Sequence, residues 1–229
     1  LIAWAALYLA LGNGEQLRAA EYREGQYARA AKAAELRSLR YQVNPHFLFN
    51  TLNPLSTLVM RNRPDEAERM IMSLSNFYRT SLTGDPLDDA PLEEEVHLQK
   101  LYLDIEAVRF PDRLTAQIDV PDSLMTACVP GLILQPLVEN AIKYGVSRTS
   151  SPVTIAITAR EDGDLMHIAV TDDGDNPPGP GDAGSGIGLA NVRDRLTARF
   201  GEAGRIVYGA REGDGFSVLL TLPIVRKGC

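Results

Sequence analysis

Three short stretches of the sequence hold side chains suited to work on a phosphoryl group. The first is Asn44-Pro45-His46-Phe47-Leu48-Phe49-Asn50. An imidazole nitrogen keeps a free lone pair near neutral pH, which makes His46 a candidate phosphoacceptor. Asn50 follows one helical turn later on the same face. It could position water for a reverse, phosphatase reaction, or it could be a plain surface amide. Pro45 lacks an N–H and weakens the helix beside the ring. A lone histidine in a helical bundle is more often structural, so this stretch suggests the chemistry without establishing it.

The second stretch is Leu137-Val138-Glu139-Asn140-Ala141-Ile142-Lys143-Tyr144-Gly145. On a helix, Asn140 shares a face with Lys143 and with Tyr144. An amide oxygen can hold Mg²⁺, which favours oxygen ligands and accompanies nucleotide phosphates. Lys143 could meet a phosphate and Tyr144 could border a nucleotide. A solvated polar face is the plain alternative. The third stretch pairs Asp172-Asp173-Gly174, at the end of a strand pattern, with Gly184-Ser185-Gly186-Ile187-Gly188-Leu189 at a helix start. A strand-end carboxylate can accept a hydrogen bond from an adenine amino group. Glycines before a helix let phosphate reach the free N–H groups and the positive dipole end. The glycines do not directly follow a first strand, so the Rossmann context is missing. There is no GxxxxGK[ST] segment, which excludes a P-loop.

These stretches need elements to position them. Residues 15–43 are rich in Ala, Glu, Arg and Leu without proline and predict a long helix. Leu36, Leu39, Val43, Phe47 and Leu58 share one stripe at about 100° per residue, so the helix is expected to run to about Met60. Pro45 and Pro54 should bend or loosen it. Asn62-Arg63-Pro64 stops it and starts another, whose apolar face is Met70, Leu74, Phe77 and Leu82. Leu92, Val96, Leu101, Ile105 and Val108 mark a third helix.

After Phe110-Pro111 the texture changes. Leu114–Val120 alternates as a strand. Gly131–Tyr144 reads as a helix. Val153–Arg160 and Leu165–Thr171 read as a hairpin, Gly186–Phe200 as an amphipathic helix, and Arg205–Ala210 and Phe216–Leu222 as final strands. The expected class is α+β, with a helical half to about residue 110 and a mixed half after it.

The chain has 229 residues and a formal net charge of −7, which argues against a broad nucleic-acid-binding surface. Two cysteines, Cys128 and Cys229, are too few for a disulfide framework or a zinc cluster, and a reducing compartment fits them. The histidines stand apart, without metal-ligand spacing. His97 and His167 read as structural or surface residues. Leu1–Leu11 is apolar throughout but too short to span a bilayer, which takes about 20 residues. Arginines outnumber the acids downstream of it. Residues 1–14 therefore read as the end of a truncated membrane helix rather than the start of an amphipathic one.

Together the stretches resemble one family. Leu39–Asn50 closely resembles the phosphoacceptor box of sensor histidine kinases of the LytS/YehU type. Gln135–Gly145 looks like their N box, and Asp172-Asp173-Gly174 with Gly184–Leu189 and Ala190-Asn191-Val192-Arg193 look like their G boxes. Leu92–Glu95 and Ile105–Phe110 resemble the helix joining the two halves. The resemblance covers about residues 36–224.

It implies a helical dimerisation and phosphotransfer region at 15–110. It also implies a two-layer α/β sandwich of the Bergerat type at 111–229, with a lid over ATP. Asn140 would ligate Mg²⁺, Asp172 would bind the adenine amino group, and Gly174, Gly186 and Gly188 would line the nucleotide site. His46 would accept the γ-phosphoryl and pass it to an aspartate of a response regulator, often of the LytTR type. The chain would act as a homodimer anchored to the membrane, with the catalytic part cytoplasmic.

Some positions depart from the pattern. Asn176 replaces a second glycine, the Asp175–Asp182 lid is rich in proline, and Pro54 replaces a small polar residue. Phe47 stands directly after His46, where many histidine kinases carry an acid. Glu93, Glu94, Glu95 and Glu106 could orient His46 only if the third helix packs beside it. They read more simply as solvated surface acids.

Two other functions compete: a Bergerat-fold ATPase driving a conformational clamp, and a degenerate kinase that only scaffolds. The clamp ATPases need a glutamate one turn before the Mg²⁺ asparagine. Pro136 occupies that place and cannot act as a base.

Overall fold

The computed structural model describes residues 45–83, 88–175, 185–211 and 215–229. The stretches expected to form the end of a membrane helix and the long first helix, and most of the lid, lie outside them. No helix among the described residues is long and apolar enough to cross a membrane.

Helix α1 (Pro45–Met60) begins on a proline, where a missing N–H costs nothing, and continues through Pro54. Its chain divides by contact between Leu48 and Phe49, and residues 49–229 form one compact unit. Asn62 adopts a left-handed φ of 56° and ends α1. Helix α2 (Pro64–Thr83) starts on the expected proline, with Asp65 and Glu66 at its positive end. Strand β1 (Asp89–Pro91) leads directly into α3 (Leu92–Arg109).

The remaining elements are β2 (Leu114–Asp119), the short α4 (Asp122–Met125), β3 (Cys128–Pro130), α5 (Gln135–Asn140), β4 (Val153–Asp162), β5 (Leu165–Asp172), α6 (Ser185–Phe200), β6 (Arg205–Ala210) and β7 (Phe216–Pro223). Five strands form one sheet in the order β2-β4-β5-β7-β6. β2 runs parallel to β4, and the other neighbours are antiparallel. β1 and β3 form a separate antiparallel ribbon.

The strands bury alternate residues, as the period of two requires. Ile155, Ile157, Met166, Ile168, Val170, Val218, Leu220 and Leu222 form the buried face, and Leu137, Val138, Val192 and Leu196 from α5 and α6 are buried with them. The opposite face carries Thr158, Ala169 and Thr171, which are half-buried. His167 lies on that face and bonds Thr221 Oγ1 through Nδ1 at 3.0 Å.

Four expectations need correction. The helix expected from Gly131 starts at Gln135, because Gly131–Leu134 is a turn with Leu132 at φ 57°. Its far end widens into a π-helical turn over Ala141–Val146. β1 and β3 were not foreseen, because three residues are too few to show a period. Glu95 and Glu106 are buried rather than solvated, at 3% and 2% exposure. Finally, Cys128 and Cys229 form a disulfide across a separation of 101 residues. Two cysteines make no framework, but they do make one bond.

The buried sheet face sets a stability test. Ile168→Ala should destabilise the protein by about 2–5 kcal/mol, the usual cost of emptying a wholly buried aliphatic site. Thr158→Ala, on the opposite face, should stay within about 0.5 kcal/mol. Urea midpoints of the two variants decide it; equal shifts would mean that the buried face is wrongly assigned.

Candidate nucleotide site

The second and third motifs meet at the ends of three elements. Asp172 ends β5 and is 4% exposed. Its Oδ1 accepts the Gly174 N–H at 3.1 Å, which folds the chain back at the strand end. A Cβ on Gly145 would sit 2.6 Å from Asp172 Oδ1, and one on Gly174 would sit 2.7 Å from Gly145 Cα. Both positions therefore need glycine for close approach rather than for a special φ. Asp173 turns the other way, and its Oδ1 accepts the Thr154 N–H at 2.6 Å. Thr149 Oγ1 donates to Asp175 Oδ2 at 3.1 Å, tying the start of the lid segment to the loop after the π turn.

Burial pushes the Asp172 carboxyl up to about 6, and neighbouring Asp173 adds to the rise. The Gly174 N–H, Phe216 N–H and Arg211 act against it. A desolvated carboxylate held at a strand end is a strong acceptor for a donor such as an exocyclic amine.

The π turn brings the residues after Asn140 to this place. Ala141 N–H is shared between the Leu137 and Val138 carbonyls, and Ser147 N–H reaches back to the Ile142 carbonyl. Such a turn inserts one extra residue and marks functional sites in many helices. Here it buries Tyr144 at 2% exposure and leaves Lys143 exposed. Lys143 Nζ lies 4.7 Å and Arg148 Cζ 4.5 Å from the centre of the Tyr144 ring. The ring thus gathers two cations beside the motif. The loop that follows is held by Arg113, whose Nη2 donates to the Val146 carbonyl at 2.6 Å and to the Thr149 carbonyl.

Asn140 is half-buried, and its Nδ2 has no hydrogen-bond partner. The Tyr144 hydroxyl is likewise unpartnered. A buried amide with an unsatisfied end fits a ligand group at this point, and the two ends of an amide exchange by a simple flip. A single amide oxygen also suits Mg²⁺, which keeps waters and phosphate oxygens as its other ligands. Among the described residues there is no group of three or more His, Cys, Asp or Glu that could hold a metal.

Gly186 and Gly188 stand in the first turn of α6. A Cβ on Gly188 would lie 3.6 Å from Pro136 Cβ, so this turn packs against the start of α5. Asn140, Lys143, Tyr144, Asp172, Gly174 and Gly188 are thereby brought into one region. His46 is exposed on the first turn of α1 and belongs to the other compact unit, while Asn50 lies just inside the larger one.

Sequence reasoning quoted Gly145 without giving it a role, passed over Arg148, and read Glu95 as a solvated acid or a remote orienter of His46. A glycine inside a helical pattern was the available sign for Gly145. For Glu95 there was none, since it sits in a run of three glutamates.

Residues 34–114 match the histidine kinase family, and residues 130–226 match the family of histidine kinase-, DNA gyrase B- and HSP90-like ATPases. Sensor histidine kinase YesM of Bacillus subtilis is 33% identical over 84% of this chain and 34% of its own length. Sensor histidine kinase BtsS of Escherichia coli is 35% identical over 93% of this chain and 38% of its own length. Sensor protein LytS of Enterococcus faecalis is 31% identical over 86% and 35% respectively. The chain thus spans about a third of the length of these relatives. With the helical match first and the ATPase match after it, as the resemblance of the motifs led us to expect, the chain belongs to the sensor histidine kinases.

Proposed function

We propose that the chain is the kinase core of a two-component sensor, which transfers the γ-phosphoryl of ATP to His46 and then to an aspartate of a response regulator. The close fit of Gly145 and Gly174 around the buried Asp172 carboxylate carries this reading. Asp172 accepts a hydrogen bond from the adenine amino group. Gly174, Gly186 and Gly188 leave room for the nucleotide and its phosphates. Asn140 serves as the Mg²⁺ ligand, and Lys143 neutralises phosphate charge, with Tyr144 beside it. Bound Mg²⁺ supplies further charge neutralisation at the transferring group. Phosphoryl transfer of this kind depends on positioning and electrostatics rather than on a base. Pro136 offers no base for water, so transfer to a side chain is favoured over a clamp ATPase.

The domain reading follows the same division: helical dimerisation and phosphotransfer over 15–110, and ATP binding over 111–229. Exposed Phe49, Leu52, Val59 and Met60 form one stripe on α1, opposite in kind to a solvated face. A second copy covers this stripe in the homodimer. Asn50, Asn53, Thr57 and Arg61 recur at helical spacing on one face. From Asn50 onward this face borders a cavity of about 680 Å³ that Arg63 and Arg109 also line. That surface suits the acidic phosphoacceptor site of a response regulator, of the LytTR type by resemblance. By the same resemblance, the full-length protein is anchored in the membrane with its catalytic part cytoplasmic.

Labelling with γ-³²P ATP and Mg²⁺ tests the reading. The wild type should carry an acid-labile, base-stable label, and His46→Gln and Asn140→Ala should each lose it. A label that survives in His46→Gln refutes the phosphoacceptor. Gly145→Ala should weaken ATP binding by about tenfold or more, because the added Cβ displaces the Asp172 carboxylate, yet keep a cooperative thermal transition. ATP affinity measured by calorimetry, beside the melting curve, checks both parts.

Binding should also depend on pH. Adenine recognition needs ionised Asp172, so affinity should fall by up to about tenfold per unit below about pH 6. The effect on folding has the opposite sign. The folded carboxyl titrates at about 6 and the unfolded one at about 3.9. Its contribution to stability is complete below the lower value and lost as pH rises through the upper one. ATP titrations between about pH 5 and 7.5, with Asp172→Asn as a weak and pH-flat control, separate the two; parallel pH curves for both proteins would sink the assignment.

A further inference from the structure

The segment after β7 is fastened to the β1–β3 ribbon although phosphotransfer does not require it. Cys229 is disulfide-bonded to Cys128. Cys128 N–H donates to the Val225 carbonyl at 2.6 Å, and Ile224 N–H to the Asp164 carbonyl at 2.9 Å. The Arg226 guanidinium donates to the Ser123 carbonyl and lies 3.8 Å from Glu161. Cys128 is wholly buried, whereas Cys229 is exposed. Cys229 also lines a cavity of about 260 Å³ with Thr80 and Ser81 from the end of α2, Asp89 from β1, and Glu94 from α3. Cys229 thus sits where the end of α2, the start of α3 and the ribbon converge.

The same ribbon bears on α6 through two bonds. Arg199 Nε donates to Asp89 Oδ2 at 2.8 Å, and Arg195 Nη2 to the Gly131 carbonyl at 2.6 Å. Whatever loosens the ribbon therefore reaches the helix that begins at the second glycine motif.

We propose that Cys128–Cys229 is a redox-active modification site, opened by a dithiol reductant, whose opening releases the segment after β7 from the ribbon. The choice of reductant rests on the cytoplasmic placement in the proposed function, since disulfides in reducing compartments are generally transient and redox-sensing. The asymmetry of burial fixes the order of events. A thiolate of the reductant attacks Sγ of Cys229, the exposed residue of the pair, the protein S–S bond breaks, and Cys128 sulfur leaves as a thiolate that takes up a proton. The second thiol of the reductant then attacks its own sulfur in the mixed disulfide and frees Cys229. Two electrons pass to the protein, which gains two thiols, and the dithiol becomes a disulfide. Without the crosslink, a few backbone bonds, an exposed arginine and half-buried Ile224 and Val225 hold the segment among the described residues, and such segments open locally at low cost.

Alkylation and amide exchange on the full chain test the proposal, with dithiothreitol as the dithiol. After air oxidation no thiol should alkylate, and after dithiothreitol treatment of the folded protein two should. Amide exchange over residues 88–91, 128–130 and 224–229 should be at least about tenfold faster in the reduced protein, with β5 unchanged. Cys229→Ser, altered only at an exposed position, should exchange fast under both conditions. Two free thiols after oxidation, a bond that resists dithiothreitol, or equal exchange in both states would each overturn the proposal. Loss of ATP labelling in every redox form would instead count against the kinase reading and leave these outcomes intact.

Discussion

One buried carboxylate sets the geometry of the whole ATP-binding half. Glu95, on the first turns of α3, accepts the Leu132 N–H at 2.5 Å and the Leu134 N–H at 3.1 Å. Burial pushes its carboxyl above the usual range, while the backbone donors and Arg195 pull it back. A buried carboxylate without partners would cost several kcal/mol. With them it serves donors that a helix start leaves unpaired, at the positive end of α5. It also holds Leu132 at φ 57°, a left-handed conformation that costs a leucine about 1–2 kcal/mol. Arg195 of α6 grips the same turn from the other side through the Gly131 carbonyl. The helix that carries Asn140 and the helix that starts at Ser185 are therefore both referenced to one turn, and α3 links that turn to the helical half.

The acids on α3 divide by depth rather than by type. Glu93 and Glu94 face solvent, whereas Glu95 and Glu106 are buried. Burial raises the Glu106 carboxyl, Arg109 at 3.3 Å lowers it, and Glu139 raises it again. The same two acids and burial push Tyr102 well above its ordinary range. Glu139 precedes Asn140 directly, and Arg109 ends α3. Electrostatics thus acts at both ends of α3: a capped turn at Glu95, and a repulsion between Glu106 and Glu139 eased by Arg109.

Much of this was legible in the sequence, and the failures have physical causes. The strands β4, β5, β6 and β7 announce themselves because half-buried strands alternate, and the helices α2 and α3 because their stripes are long. That the second and third motifs belong together was legible too, and the structure joins them where Gly145 packs against Asp172. The π turn was not, because an extra residue in a helix leaves the apolar pattern almost unchanged over six residues. The Gly131–Leu134 turn was hidden for a related reason: Ile133, Leu134, Leu137 and Val138 are buried whether the segment is helix or turn. The disulfide could not be read from spacing, since residues 101 apart meet only through the fold. Glu95 was misread because its neighbours are solvated and its partners lie in backbone far along the chain.

The charge distribution accounts for how a net-negative chain presents a site for a polyanion. The formal charge of −7 repels ATP at long range, but screening limits that repulsion to about 8 Å at physiological salt. What matters is the order of charges within the site. The acceptor, Asp172, is buried at the strand end, where burial weakens its preference for the ionised state. The cations Lys143 and Arg148 are exposed and gathered on the Tyr144 ring, next to Gly145, which itself touches Asp172. On the proposed function, a nucleotide entering base first would meet a hydrogen-bond acceptor in a dry place and leave its phosphates among cations. Entry in the reverse sense would set phosphates against a carboxylate with little water to screen it. In that reading the polarity of the site favours one orientation, set by two glycine contacts and one π turn.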